Sequence, residues 1–350
     1  MSTDADTPFW PPLLAKLMRG EELTADEAGG ALATILEGRA APSQIAGFAI
    51  ALRAKGETPA EMAALVRTML AYAERVDVEG PLLDTCGTGG DRSCSINVST
   101  LAAFVAAGAG ARVAKHGNRS ATSACGSADL LENLGVAVDL GPAGVARCIG
   151  EVGIGFCFAP RYHKALRHAG PVRRELGVPT TFNFLGPLAN PAGARRQTIG
   201  VGDAAMAERM VATLVELGTE RALVFFGHDG LDELTTTTTS AVWEVAGGEI
   251  HFSNLDPTEL GIPLAAPEDL VGGDPAANAR LARAVLDGQT GPHRDIVVLN
   301  AAAALVAAET VTDLAAGIEA ATASLESGRA AAALDGLVKV SRAAAEEEAG

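Results

Sequence analysis

Near residue 77 the hydrophobic period of this 350-residue chain changes, and few architectures accommodate such a change. Upstream, apolar residues recur at helical spacing in four groups: Leu13, Leu14 and Leu17; Leu32, Ile35 and Leu36; Ile45, Phe48 and Leu52; Met62, Leu65, Val66 and Met69. The spacing predicts four successive helices. Thr24 with Glu27 and Thr58 with Glu61 stand as capping boxes, Pro59 takes a first helical position, and Gly38 and Gly56 sit where helices end. From Pro81 onward, β-like runs ("ARVAKHG", "GIGFCFAP", "QTIGVG", "RALVFFG") alternate with helical ones such as "TLAAFVAAG" and "AAMAERMVATLVELG". That alternation predicts a mostly parallel central sheet flanked by helices. "SAVWEVAGGEIHFS" predicts a hairpin at the sheet's edge or end. The expected α/β organisation is a small all-helical domain over 1–76, which a segment near 170–190 could join, and a large α/β domain over 77–350. The end, "AAAEEEAG", reads as frayed.

Composition narrows the function. A formal charge of -16 argues against a nucleic-acid partner, which would require a basic footprint. A phosphate ligand would then need a locally positive pocket, a metal ion, or both. Cys86, Cys94, Cys125, Cys148 and Cys157 are odd in number and lack C-x-x-C spacing, so they read as reduced thiols. The start "MSTDADTPFWPPLL" has no signal-peptide pattern, and no apolar run reaches the roughly 18 residues of a membrane span. The expected location is cytoplasmic, with no membrane partner.

Three clusters carry chemistry. "DTCGTGGD", Asp84 to Asp91, follows the apolar "PLL" and packs three glycines into eight residues. Such a turn can present N–H groups to phosphate oxygens, though it fits neither the P-loop nor the dinucleotide spacing. A structural turn explains it equally well. Asn97, Ser99 and Thr100 follow just before a helical run, as anion donors or as a helix cap. In the second cluster, Lys115 and His116 close an apolar strand and Gly117, Asn118 and Arg119 come next; singly these read as a solvated turn, together as a site. In the third, Asp232 and Glu233 are adjacent carboxylates in a loop after "ALVFFG". They read as an exposed acidic turn or as a site for Mg²⁺, which takes one or two carboxylates plus substrate phosphates.

"GTGGD", "NVST", "KHGNR" with "GSAD" downstream, "PVRRELG", "TTFNFLGPLANP" and "GLDELTTTTT", in this order and over almost the whole chain, resemble the anthranilate phosphoribosyltransferase family. The resemblance implies a homodimer built through the helical domain and Mg²⁺-dependent transfer of the 5-phosphoribosyl group of phosphoribosyl pyrophosphate to the amine of anthranilate. It implies that Gly87, Thr88, Gly89 and Gly90 cradle pyrophosphate and that Asp91 serves the ribose or a metal-bound water. Asn97, Ser99, Thr100, Lys115 and Ser127 would hold the remaining phosphate and ribose oxygens. Ser99, Asp232 and Glu233 would bind the metal, and Gly87, His116, Asn118, His163 and Arg173 would take anthranilate. No residue is implied as a dedicated catalytic acid or base. The apolar residues Leu13, Leu17, Ile45, Phe48 and Leu52 are expected to exceed what a small helical core can hide, leaving a dimer surface. The chain departs from the family's common pattern at Ala124, Cys125, Lys164 and Pro179. A pyrimidine nucleoside phosphorylase-like enzyme and a nucleic-acid-binding relative are the alternatives.

Overall fold

The computed structural model describes residues 9–89, 91, 95–120 and 124–350. The chain separates into two compact units, Met1–Ala73 with His163–Ala189, and Glu74–Tyr162 with Asn190–Gly350.

The helical unit begins with α1 (Trp10–Met18), α2 (Ala25–Leu36), α3 (Pro42–Lys55) and α4 (Pro59–Ala71). Both capping boxes form: the Thr24 and Thr58 hydroxyls accept from the Glu27 and Glu61 amides, and each glutamate accepts from the cap's own amide. α1 packs on α3 and α2 on α4. This pairing corrects the expectation of surplus apolar surface, because Leu13, Leu17, Ile45, Phe48 and Leu52 are all buried within the unit. Trp10 closes the α1–α3 seam edge-on to Phe48, with centroids 6.1 Å apart. The later segment contributes helices over Gly170–Leu176 and Phe182–Leu185.

The α/β unit is built on a seven-stranded sheet: β1 (Leu83–Gly87), β2 (Val113–Gly117), β3 (Ile154–Phe158), β4 (Arg196–Gly200), β5 (Arg221–Gly227), β6 (Ser240–Ala246) and β7 (Glu249–Leu255). Its order is β3-β2-β1-β4-β5-β6-β7, parallel through β5, with β6 and β7 as the antiparallel edge hairpin. β1 contains the first half of "DTCGTGGD", so the turn proper starts only at Thr88. The chain leaves β1 toward β2 on one side and later returns as β4 on the other. The carboxyl ends of β1 and β4 are therefore the switch point, where open α/β sheets bind ligands.

Helices cover the sheet; the one over Pro292–Ala307 is buried along most of its length and packs on the Val98–Gly108 helix. The carboxyl-terminal stretch read as frayed is helical to Ala349. Long-range contacts hold it: Glu348 accepts from the Gly141 amide at 2.9 Å, and Glu347 pairs with Arg147 at 2.8 Å.

Candidate active site

The site grows from the aligned ends of β1 and β4, where Gly87 and Gly200 are register partners. Into this notch comes the loop between β5 and β6. A Cβ on Gly87 would lie 2.5 Å from the Asp232 carboxylate, and one on Gly200 would lie 1.6 Å from the Asp232 carbonyl oxygen. The first glycine of the turn thus makes room for the protein's own acidic loop, an explanation that neither a bare turn nor a phosphate cradle supplies by itself.

Asp232 and Glu233 are only 9% and 7% exposed, which excludes the exposed acidic turn. The Gly89 amide donates to Asp232 Oδ2 at 2.7 Å and the Ser99 amide to Glu233 Oε1 at 3.1 Å. One N–H group of the anticipated anion cradle, that of Gly89, therefore engages a carboxylate, as does the Ser99 N–H at the start of the next helix. Burial raises both carboxyl groups above their ordinary range; repulsion from Asp91 adds to this for Asp232, and repulsion from Asp232 for Glu233. The nearby cation is Lys115, buried, with Nζ donating to the Thr85 carbonyl and to Ser99 Oγ at 3.4 Å. Burial lowers its pKa, an effect that Asp84 and Glu233 oppose.

This balance of charges suits a hard divalent cation. Among the described residues no group of three or more His, Cys, Asp or Glu is placed to hold a metal. Two adjacent buried carboxylates with the Ser99 hydroxyl are an oxygen donor set of the kind Mg²⁺ shares with substrate phosphates.

The other anticipated residues are distributed unevenly around this centre. Thr88 donates its amide to the Gly200 carbonyl at 2.9 Å, and its hydroxyl accepts from the Gly202 amide at 3.3 Å. Gly90 lies outside the described residues, as does Cys94; the other four cysteines are unbridged. Ser99 and Thr100 fall in the first turn of the Val98–Gly108 helix and do not cap it; Asn97 holds the cap position without a side-chain cap bond. Instead its side chain donates to the Cys125 carbonyl and accepts from Asn278 Nδ2, both at 3.0 Å. Thr100 is buried with its hydroxyl unpartnered among the described residues. Ser127 Oγ donates to the Asn118 carbonyl at 3.1 Å, closing the turn after β2. Arg119 is committed to Asp129 and Glu132, whereas Lys115 is the cation whose field reaches Glu233.

Sequence reading passed over Asp84 and Asn190. Asp84, fully buried in β1, accepts from the His116 amide at 2.9 Å and from Asn190 Nδ2 at 2.8 Å. Asn190 Nδ2 also donates to the Ala114 carbonyl at 2.7 Å. Burial pushes the Asp84 carboxyl up to about 6, while Lys115 and these hydrogen bonds pull the other way. One signal was available: an aspartate inside the apolar run "LLDTCG" must find buried partners.

In the helical unit, His163 is buried and its Nε2 lies 3.0 Å from the Ala189 carbonyl oxygen. Arg173 is half-buried on the Gly170–Leu176 helix, whereas its neighbour Arg174 is exposed. The Arg173 guanidinium lies over the Phe182 ring at 5.7 Å, and no carboxylate among the described residues pairs with it.

A helical unit and a mostly parallel α/β sheet with a buried acidic pair at its switch point suit an enzyme that takes an anionic substrate together with a divalent cation. Both parts match glycosyl transferase family models: the helical bundle domain over residues 11–73 and the a/b domain over 79–331. The anthranilate phosphoribosyltransferase of Thermobifida fusca (strain YX) is 54% identical over 343 residues, spanning 97% of this chain and 98% of that protein. The crystal structure of the Thermus thermophilus enzyme of that name has a TM-score of 0.89 at 44% identity, over 94% of this chain and 99% of that one. The Saccharomyces cerevisiae enzyme in complex with PRPP and Mg has a TM-score of 0.87 at 27% identity, over 95% and 97%. The chain belongs to the anthranilate phosphoribosyltransferase family.

Proposed function

We propose that this protein transfers the 5-phosphoribosyl group from phosphoribosyl pyrophosphate to the amine of anthranilate, releasing pyrophosphate, in a Mg²⁺-dependent step of tryptophan biosynthesis. The observation that carries this reading is the buried Asp232–Glu233 pair at the β1–β4 switch point, in a chain whose family is now established. Asp232, Glu233 and Ser99 would hold the metal. When bound, Mg²⁺ neutralises charge on the departing pyrophosphate. The turn over Gly87 to Gly90 would lie against the pyrophosphate, with Asp91 beside it; the Thr88 and Gly89 amides, which donate to the Gly200 carbonyl and to Asp232, would exchange those partners for phosphate oxygens. Lys115, Asn97, Ser99, Thr100 and Ser127 would meet the remaining phosphate and ribose oxygens.

The aromatic amine of anthranilate is neutral at pH 7, so it needs no strong base before attack. Rate would come from positioning and from electrostatic stabilisation of an oxocarbenium-like state. For the carboxylate of anthranilate, Arg173 offers a fork of N–H donors that no acid among the described residues occupies. The test is the loss of anthranilate fluorescence on adding phosphoribosyl pyrophosphate and Mg²⁺ to the folded protein. No consumption, or phosphorolysis of a pyrimidine nucleoside in its place, would overturn the reading.

A cytoplasmic location is part of the proposal; no helix among the described residues is long and apolar enough to cross a membrane. A homodimer through the helical unit is also part of it. Its support is no longer the buried α1–α3 seam but the residues beside it. Leu14 packs over Gly47, and one turn further along each helix Met18 and Ile50 are 81% and 39% exposed. Sedimentation at micromolar concentration should show a dimer, and replacing both Met18 and Ile50 by Glu should shift it to monomer. A wild-type protein that sediments only as monomer removes this claim without touching the catalytic one.

A further inference from the structure

Arg173 is held in an unusual way for a half-buried cation. Carboxylate partners usually fix a guanidinium, but they consume the N–H donors a ligand would need. Here the support is the face of Phe182, which attracts the cation and leaves the in-plane donors available. The position of Arg173 therefore depends on where Phe182 stands.

Phe182 is buried, and attachments before and after it run to one stretch at the end of α3. On the near side, Thr181 Oγ1 donates to Glu57 Oε1 at 2.6 Å in a buried bond. On the far side, the Arg53 guanidinium lies 5.0 Å over the Phe184 ring. Arg53 also donates to Glu57 Oε2 at 3.3 Å, which joins the two attachments. The segment is stiffened from within, since Asn183 Oδ1 accepts from the Thr180 amide at 3.0 Å and the Asn183 amide donates back to the Thr180 carbonyl at 2.9 Å. A carboxylate as buried as Glu57 is costly to keep unless its bonds are well made. A threonine hydroxyl aimed at it fixes the one residue that precedes the Arg173 platform.

We propose that Glu57 and Thr181 are a positioning pair which, through Phe182, sets where the Arg173 guanidinium stands and so tunes affinity for the carboxylate of the amine substrate. The proposal rests on Arg173 being that carboxylate's anchor. A bidentate grip requires both N–H groups in line, so a small displacement of the ring below it weakens the grip without removing the charge.

The test is Thr181→Val, which keeps the shape and deletes the hydroxyl, with Thr181→Ser as the conservative rescue and Arg173→Ala as control. Thr181→Val should raise the KM for anthranilate about threefold to tenfold, the scale of a misplaced cation–π contact. The KM for phosphoribosyl pyrophosphate and kcat at saturating anthranilate should not move. Thr181→Ser should restore the wild-type KM, and in an Arg173→Ala background Thr181→Val should add nothing. A purely structural staple would instead lower Tm and the active fraction, with no split between substrates. If Thr181→Val does not fold, Phe182→Leu tests the same link and should show the same split. An unchanged anthranilate KM in a folded variant, beside an Arg173→Ala enzyme whose KM rises, overturns the positioning pair and leaves the anchor standing. An Arg173→Ala enzyme with unaltered anthranilate KM overturns both.

Discussion

Asp232→Asn and Glu233→Gln, made separately, are expected to raise the half-activating Mg²⁺ concentration about tenfold or more, equivalent to about 1.4 kcal/mol or more, while the protein stays folded. The expectation of an intact fold follows from the hydrogen bonds. Each replacement side chain keeps one acceptor oxygen, so the Gly89 and Ser99 amides that now donate to Asp232 and Glu233 retain a partner in the variants. Ionised carboxylates are costly in this setting, as the upward displacement of both groups by burial indicates. Neutral replacements should therefore melt no lower than the wild type. What they lose is the negative charge that recommends the pair as a metal site. Turnover measured across Mg²⁺ concentrations, with melting as the control, decides the matter; wild-type Mg²⁺ dependence in both variants would mean the acidic pair serves only the fold.

Arg173→Ala should raise the KM for anthranilate by one to two orders of magnitude, about 1.5 to 3 kcal/mol for a hydrogen-bonded charge, and leave that for phosphoribosyl pyrophosphate nearly unchanged. Arg173 is half-buried on an aromatic face with no acidic partner among the described residues, an expensive arrangement unless an anion completes it. Arg174, one residue on and about 100° around the helix, is exposed, and Arg174→Ala should alter neither constant. Arg173→Lys should fall between, since it keeps the charge and loses the fork. Initial rates with each substrate varied in turn check all three. Equal impairment for both substrates in Arg173→Ala would show that the residue does not anchor the carboxylate.

Local chemistry was legible where neighbours in the chain determine the outcome. The four helices, both capping boxes, the run of strands and the edge hairpin all follow from residues within a few positions of one another. The motifs near Gly87, Lys115 and Asp232 mark the ends of β1, β2 and β5. Periodicity could not say which apolar faces would meet. By spacing alone Leu13, Leu17, Ile45, Phe48 and Leu52 read as a dimer surface, whereas α1 covers α3 and all five are buried. The acidic tail end looked frayed because its partners, Gly141 and Arg147, lie about two hundred residues away in sequence.

The sequence by itself determined the four amino-terminal helices, the strands with their edge hairpin and the identity of the charged groups, because capping, turn chemistry and hydrophobic period act over a few residues. Tertiary structure alone decided that Asp232 fills the notch left by Gly87 and Gly200, that Asp84 ties the end of β2 to Asn190, and that Arg173 rests on Phe182. Those outcomes depend on burial and on contacts between distant segments. A carboxylate or guanidinium has the same sequence signature in water as in a low-dielectric site, and only packing determines which of the two it occupies.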